Sequence, residues 1–206
     1  VKNYGASVPL EIRIHGVIGA GVNGSGMTSQ EVSEQLASYD GDDITVSINS
    51  PGGSAADGIA IYNMLKRHPA SVKVHIDGVA ASAASVIAMA GDTIEMSDTA
   101  LLMILDPMVN CSGNSRDMRS TADTLDKWAS SIANSYTGHF NVGVDEIRTM
   151  MAAETWLSAE QSMELGIVSQ LSTSGEPVAA LGFISNYSNA PEVLTIKKGS
   201  EMNNKE

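Results

Sequence analysis

The sequence predicts an α/β fold with a largely parallel sheet, and three observations carry this prediction. Runs with strand character alternate with runs of helical periodicity from residue 11 to residue 104. Glycine-rich breaks at 19–26 and 51–53 separate several of these runs. At 206 residues and 43% hydrophobic content, the chain is long enough for one domain, with or without appendages.

The predicted elements alternate in type along the first half of the chain. Thr28 and Glu31 form a capping-box pattern, which marks the start of a helix. Strands are predicted where apolar residues alternate, and helices where they recur every three or four residues. The predicted strands are 11–19, 43–48, 71–76, 93–96 and 100–104, and the predicted helices are 28–39, 54–68 and a small-residue helix after 71–76.

A long amphipathic helix is predicted over 114–136, where apolar residues recur at helical spacing. Two more helices, 144–154 and 158–165, precede a closing strand at 166–171. Periodicity then fades, so we predict one domain over 1–172 and a polar, flexible tail over 173–206. The stripe of the long helix comprises Met118, Thr121, Leu125, Trp128, Ile132 and Tyr136.

Composition excludes several classes of function. A formal charge of −12 argues against nucleic acid or an anionic membrane as the main partner. The single Cys111 indicates a reducing compartment, so we predict a cytoplasmic protein. No secretory signal is visible, and the longest apolar run, 79–90, is too short to cross a bilayer. The four His and one Cys lack ligand spacing, so neither metal nor cofactor is expected.

Two glycine-containing turns are the candidate sites. In "SINSPGGSAADG" a strand runs into Gly52 and Gly53, and a helix begins directly afterwards. Glycines let a ligand approach the backbone, and a helix N-terminus favours negative charge, so this turn suits an anion or an oxyanion. The alternative is a glycine-rich turn without a ligand. A phosphate loop is excluded because no Gly-Lys-Ser/Thr follows.

The second turn lies in "DGVAASAASVIAMAGD", residues 77–92. Ser82 is predicted at the N-terminus of a helix of small residues, where the helix dipole favours a developing alkoxide. The N–H of Ala83 would point the same way. The alternative is a buried serine that only packs within an Ala-rich helix.

Taken together, "INSPGG", "GIAIYNML" and the 77–92 stretch resemble successive blocks of the ClpP family of serine peptidases. The spacing from Gly53 to Ser82 matches without a gap, and "ETWLSAEQSMELGIVSQL" extends the resemblance to Leu171. The phrases "IAIYNMLKRH" and "SVIAMAGDTI" are most similar to the ClpP-like proteases of phages and prophages, which resemble prohead (head maturation) proteases. The resemblance implies a ClpP/crotonase-like α/β spiral of ββα units with a protruding long helix.

The resemblance also implies roles for individual residues. Ser82 would be the nucleophile, and the N–H groups of Gly53 and Ala83 would form the oxyanion hole. Glu154 would be the acidic member of the triad, the alternative being a helix-end carboxylate in solvent. The family's histidine position is occupied by Leu105. Leucine cannot accept a proton, and loss of a triad residue costs about six decades in rate, so an inactive or strongly impaired chain is expected.

Neighbouring groups offer no good substitute for the missing base. Asp106 should point away from Ser82 and is a weak base at pH 7. His15 is expected to be structural in the first strand, and His75 is expected to face the core. His68 ends a predicted helix and His139 follows the long helix, so neither has a predicted place beside Ser82. Three explanations remain: an engineered inactivating substitution, a natural pseudoprotease, or a base from elsewhere. The intact remainder of the site favours the first.

The resemblance implies a homo-oligomer, a ring or stacked rings, in which the long helix packs between subunits rather than serving as a core helix alone. The substrate would be a polypeptide, such as capsid, scaffold or unfolded protein, cleaved without ATP or with an unfoldase. One alternative is a catalytically dead ClpP-fold assembly protein. The other is a crotonase-type acyl-CoA enzyme, which would need a basic pocket for the CoA phosphates.

Overall fold

The computed structural model describes residues 8–21, 24–173 and 187–191. In this part of the chain the elements follow the alternation predicted from the sequence. They are β1 (Leu10–Ile18), α1 (Ser29–Ala37), β2 (Asp43–Gly53), α2 (Ala55–Arg67), β3 (Ser71–Ala81), α3 (Ala83–Ala88), β4 (Thr93–Ser97), β5 (Leu101–Ile104), α4 (Ser115–Tyr136), α5 (Val144–Ala152), β6 (Thr155–Ser158), α6 (Ala159–Glu164) and β7 (Gln170–Ser172).

The sheet has the strand order β1-β2-β3-β4-β7, with every neighbouring pair parallel. Strand β3 has two partners on one side, because its first half pairs with β4 and its end, from Val79 to Ala81, pairs with β5. Strand β6 then adds antiparallel to β5. The predicted α/β class with a largely parallel sheet is therefore confirmed. The sequence did not predict β6, because four residues are too short to show a period of two.

One face of the sheet forms the core. Ile12 and Val74 are fully buried, whereas Arg13 and Lys73, each adjacent to one of them in its strand, are exposed on the opposite face. His75 lies between the buried Val74 and Ile76 and so shares that opposite face, with its side chain 26% exposed. The expectation that His75 faces the core was wrong, since strand alternation turns it outward.

Only the C-terminal half of helix α4 is buried against the rest of the domain. Its C-terminal turns are buried through Ala129, Ile132, Ala133 and Tyr136, whereas residues 115–120 are all exposed. Met118, at the start of the predicted apolar stripe, is 40% exposed. The helix begins at an Asn114 cap and projects beyond the core, as the fold prediction requires.

Residues 174–186 and 192–206 of the predicted tail lie outside the described residues. Residues 187–191 are described, and Tyr187 and Ala190 pack against a small apolar cluster next to β5. Within the described ranges, no helix is both long and apolar enough to cross a membrane.

Candidate active site

Ser82 occupies a strained turn between β3 and α3. Its backbone has φ 55° and ψ −123°, a positive φ that a non-glycine residue seldom adopts. The N–H of Ser82 donates to the carbonyl oxygen of Met103 at 3.0 Å, which ties the turn to β5. Strain of this kind persists only where surrounding contacts hold it, and it is common at nucleophile turns.

Ser85 and Tyr136 support this turn from the buried side. The Ser85 hydroxyl donates to the carbonyl oxygen of Ser82 at 2.6 Å and lies 2.8 Å from the Tyr136 hydroxyl. Burial raises the pKa of the Tyr136 phenol, so it remains neutral and can donate to Ser85. The hydrogen bonds of the buried Ser85 thus hold the Ser82 carbonyl in place.

The glycine turn lies directly against the serine turn. Gly52 has φ +92°, and a Cβ placed there would lie 2.7 Å from the Cβ of Ser82 and 2.6 Å from the carbonyl oxygen of Ala81. Gly53 has φ +146° and faces the backbone of Ile18, where a Cβ would lie 2.2 Å from the carbonyl oxygen. Only glycine fits at either position. The fold thus brings the turns carrying Gly53 and Ala83 together, although their role as an oxyanion hole stays a prediction.

Leu105 lies beside Ser82. The parallel register that pairs Ala81 with Met103 brings the end of β5 next to the serine turn. Ser82 and Leu105 then line the same cavity, of about 20 Å³. Leu105 is 8% exposed and belongs to a buried cluster with Val79, Ala81 and Met103. The side chain at the position predicted for the base is therefore seated in apolar surroundings.

Glu154 lies next to Leu105, because the antiparallel pair of Ile104 with Thr155 places it at the adjoining end of β6. Its φ is +48°, so it is, with Ser82, one of two non-glycine residues with positive φ among those described. Its carboxylate accepts the N–H of Ser188 at 2.9 Å and of Asn189 at 2.6 Å. These contacts differ from those of a carboxylate that only faces solvent.

The sequence analysis did not single out Tyr187, which lies at the centre of the site. Its hydroxyl donates to the carbonyl oxygen of Pro51 and lies near the Ser82 hydroxyl. Its ring packs edge-on against Trp156, with ring centroids 5.9 Å apart. Burial raises the pKa of the Tyr187 phenol, with a smaller contribution from the charge of Glu154. No local periodicity marks Tyr187, so pattern analysis could not find it.

The remaining candidate bases are engaged elsewhere. Asp106 faces the Arg148 guanidinium at 3.4 Å. The half-buried His139 binds a backbone carbonyl, and burial lowers the pKa of its imidazole. The hydrogen-bond partners of His15, His68, His75 and His139 are, in that order, Ser47, Ala70, Asp77 with Ser172, and Met89. None of these residues lines the cavity that Ser82 shares with Leu105.

A larger groove adjoins the Ser82 cavity. It has a volume of about 450 Å³ and lies between the start of α2, the chain after β5 and the exposed half of α4. Its lining includes Met108, Val109, Leu125 and Trp128, and it shares Ala55 and Pro107 with the smaller cavity. Neither lining contains Lys or Arg among the described residues. The groove suits extended, apolar side chains rather than phosphates.

Comparison with known proteins places these features in context. The family model described as "Clp protease" matches residues 18–175. The ATP-dependent Clp protease proteolytic subunit of Bacteroides fragilis is 29% identical over 150 residues, 70% of this chain and 72% of that protein. The same subunit of Streptococcus thermophilus is 26% identical over 138 residues, 65% of this chain and 70% of that protein.

A solved structure has the same fold. A ClpP1 variant from Listeria monocytogenes superposes with a TM-score of 0.69 at 24% identity, covering 80% of this chain and 91% of that one. This likeness supports the predicted ClpP-like α/β architecture.

Proposed function

The chain belongs to the Clp protease family, and we propose that Ser82 is the nucleophile of a ClpP-type serine endopeptidase site that lacks its general base. One observation carries this proposal: the strained Ser82 turn packs against the Gly52 turn while Leu105 lines the cavity beside it. The turn is built as in a nucleophile site, but the neighbouring side chain cannot take a proton.

The chemistry follows from these positions. In an intact site, the Ser82 oxygen attacks a peptide carbonyl while an imidazole at position 105 takes its proton, and Glu154 orients that imidazole. The N–H groups of Gly53 and Ala83 stabilise the oxyanion. With leucine at 105, no described residue that lines the Ser82 cavity can accept the serine proton at neutral pH, and burial also keeps the nearby Tyr187 phenol neutral. The oxyanion hole and binding alone leave residual catalysis of about 10³–10⁴ over water.

The proposed substrate is a polypeptide in extended form, and the proposed assembly is a homo-oligomeric ring. The apolar groove supports the first proposal. The second is supported by Met108 and Val109, which are 72% and 55% exposed beside the projecting half of α4. A finer proposal rests only on the sequence stretches "IAIYNMLKRH" and "SVIAMAGDTI". It is that the chain is a phage-type enzyme of the cytoplasm that acts on capsid, scaffold or unfolded proteins.

Two alternatives differ in support. A ClpP-fold assembly protein without catalysis is favoured by the apolar cluster around Leu105, in which a leucine is well accommodated. An acyl-CoA enzyme is disfavoured, because neither cavity beside Ser82 has a basic side chain in its described lining for the CoA phosphates.

The decisive experiment compares this chain with Leu105→His, Leu105→Gln and Leu105→His/Ser82→Ala, using a fluorescently labelled unfolded protein. We expect Leu105→His to raise the cleavage rate by about 10³-fold or more, since it restores a base. Leu105→Gln is the matched control, because it adds polarity without a base. Activity should rise with pH through a pKa near the ordinary histidine value of about 6.5.

The double variant tests whether the restored activity depends on Ser82. Loss of activity in Leu105→His/Ser82→Ala supports the proposal. A folded, oligomeric Leu105→His chain that neither cleaves nor reacts at Ser82 with a phosphonate probe contradicts it and favours the assembly protein.

A further inference from the structure

We propose that the cleft formed by Pro51, Ser82, Glu154 and Trp156 is a peptide-binding site and that residues 187–191 of the same chain are its resident ligand, blocking the site in cis. The proposal rests on the proposed function in one respect only, namely that a substrate must enter this cleft to reach Ser82. Residues 187–191 are identified as the occupant because they contact Pro51, Glu154 and the apolar cluster of Leu105.

The first anchor is electrostatic. Both oxygens of the Glu154 carboxylate accept backbone N–H groups, Oε2 from Ser188 and Oε1 from Asn189. The Asn189 side-chain amide donates to the carbonyl oxygen of Ala153 at 2.9 Å. Residues 188 and 189 lie in a turn, so their two successive backbone N–H groups can reach one carboxylate. Glu154 thus binds the main chain of the segment rather than one of its side chains.

The second anchor is the Tyr187 side chain. Its ring lies edge-on to Trp156, and its hydroxyl donates to the carbonyl oxygen of Pro51 and lies near the Ser82 side chain. The segment therefore contacts the glycine turn, the serine turn and β6 together. These are the elements that an incoming peptide would have to reach.

Leu105 belongs to the apolar surface on which the segment packs. The buried cluster of Val79, Ala81, Met103 and Leu105 is covered by Trp156, Tyr187 and Ala190. An apolar side chain at position 105 thus contributes contact area to the docked segment. The leucine that cannot act as a base is therefore also part of the apolar surface on which the segment packs.

Hydrogen exchange of the Ser188 and Asn189 amides in the full chain tests the site without requiring catalysis. We expect both amides to exchange slowly in the unaltered chain, and about tenfold faster or more in Glu154→Ala, which removes both acceptors. The exposed Glu164 on α6 provides the matched control, Glu164→Ala, which should leave both rates unchanged. Amides that exchange at the free-peptide rate in the unaltered chain, or that stay protected in Glu154→Ala, would overturn the proposal.

A second variant covers the case in which Glu154→Ala does not fold. Tyr187→Ala changes the segment itself, and we expect it to speed exchange of the same two amides. It should also make Trp156 fluorescence more accessible to acrylamide in a Trp128→Phe background, because Tyr187 covers the indole. Unchanged exchange and quenching would contradict the inference.

The outcome for this site can be separated from that for the proposed function. In a Leu105→His background, Tyr187→Ala should raise kcat/KM for a short peptide several-fold, since the competitor is weakened. Protected amides in the unaltered chain, together with a Leu105→His/Tyr187→Ala chain that stays folded but inactive, would refute the proposed function and support the resident peptide. Unprotected amides, with a kcat/KM that Tyr187→Ala leaves unchanged, would refute the resident peptide alone.

Discussion

The backbone N–H of Ser82 is bound to the carbonyl oxygen of Met103, two residues before Leu105, at a distance of 3.0 Å. This bond continues the β3–β5 ladder by one residue beyond the end of β3. The separation between Ser82 and Leu105 is therefore set by sheet hydrogen bonds rather than by a loop. Changes within the two turns should for this reason affect both stability and site geometry.

Gly52→Ala should destabilise the fold by about 2–4 kcal/mol, because the residue has positive φ and an added Cβ would meet the Ser82 turn. The measurement is urea unfolding at pH 7. Gly138→Ala is the matched control, since a Cβ there meets nothing within 4 Å and φ is not positive. Equal stability of the two variants would show that the turns are not packed as described.

Asp57 should contribute stability that depends on pH. Its carboxylate accepts the N–H and hydroxyl of Ser29 at 2.9 and 2.7 Å, and these bonds, with a smaller effect of the Ser54 hydroxyl, lower its pKa from 3.8. A folded pKa below the unfolded one stabilises the protein above the unfolded value, and this is lost as pH falls through the folded value.

The variant Asp57→Asn should therefore be less stable than the parent at pH 7, by about 1 kcal/mol given the partial exposure. The difference should narrow below about pH 4, where the parent carboxyl becomes protonated. Thermal unfolding from pH 2 to pH 8 measures it, with the exposed Asp123→Asn as control. A difference that is constant with pH would argue against the Ser29 contacts.

Trp128→Asp should lower the number of subunits in the assembly without unfolding the subunit. Trp128 is half-buried in the groove beside the projecting part of α4, where an apolar surface is available to a second copy. Sedimentation velocity should show a smaller species while circular dichroism stays helical. Lys127→Asp, on the exposed side of the same helix, is the control and should retain the parent assembly. A parent chain that is monomeric at the outset would refute the assembly proposal.

Local patterns were sufficient for the fold and for the two turns. Alternation and helical spacing gave the order of elements, because each strand and helix buries one face of its own residues. The absence of a base at position 105 followed from the residue type alone, since a leucine side chain cannot accept a proton in any surroundings. The short strand β6 was missed because a four-residue pattern carries too little periodicity.

The sequence by itself determined the α/β class and the absence of a base at residue 105. Only the tertiary structure decided that Gly52 packs against Ser82 and that Tyr187 reaches Pro51, 136 residues earlier in the chain. The physical reason is the separation along the chain between residues that come into contact. Periodicity reports which face of an element is buried, whereas the contacts of Tyr187 depend on how distant segments meet, and no local pattern encodes that meeting.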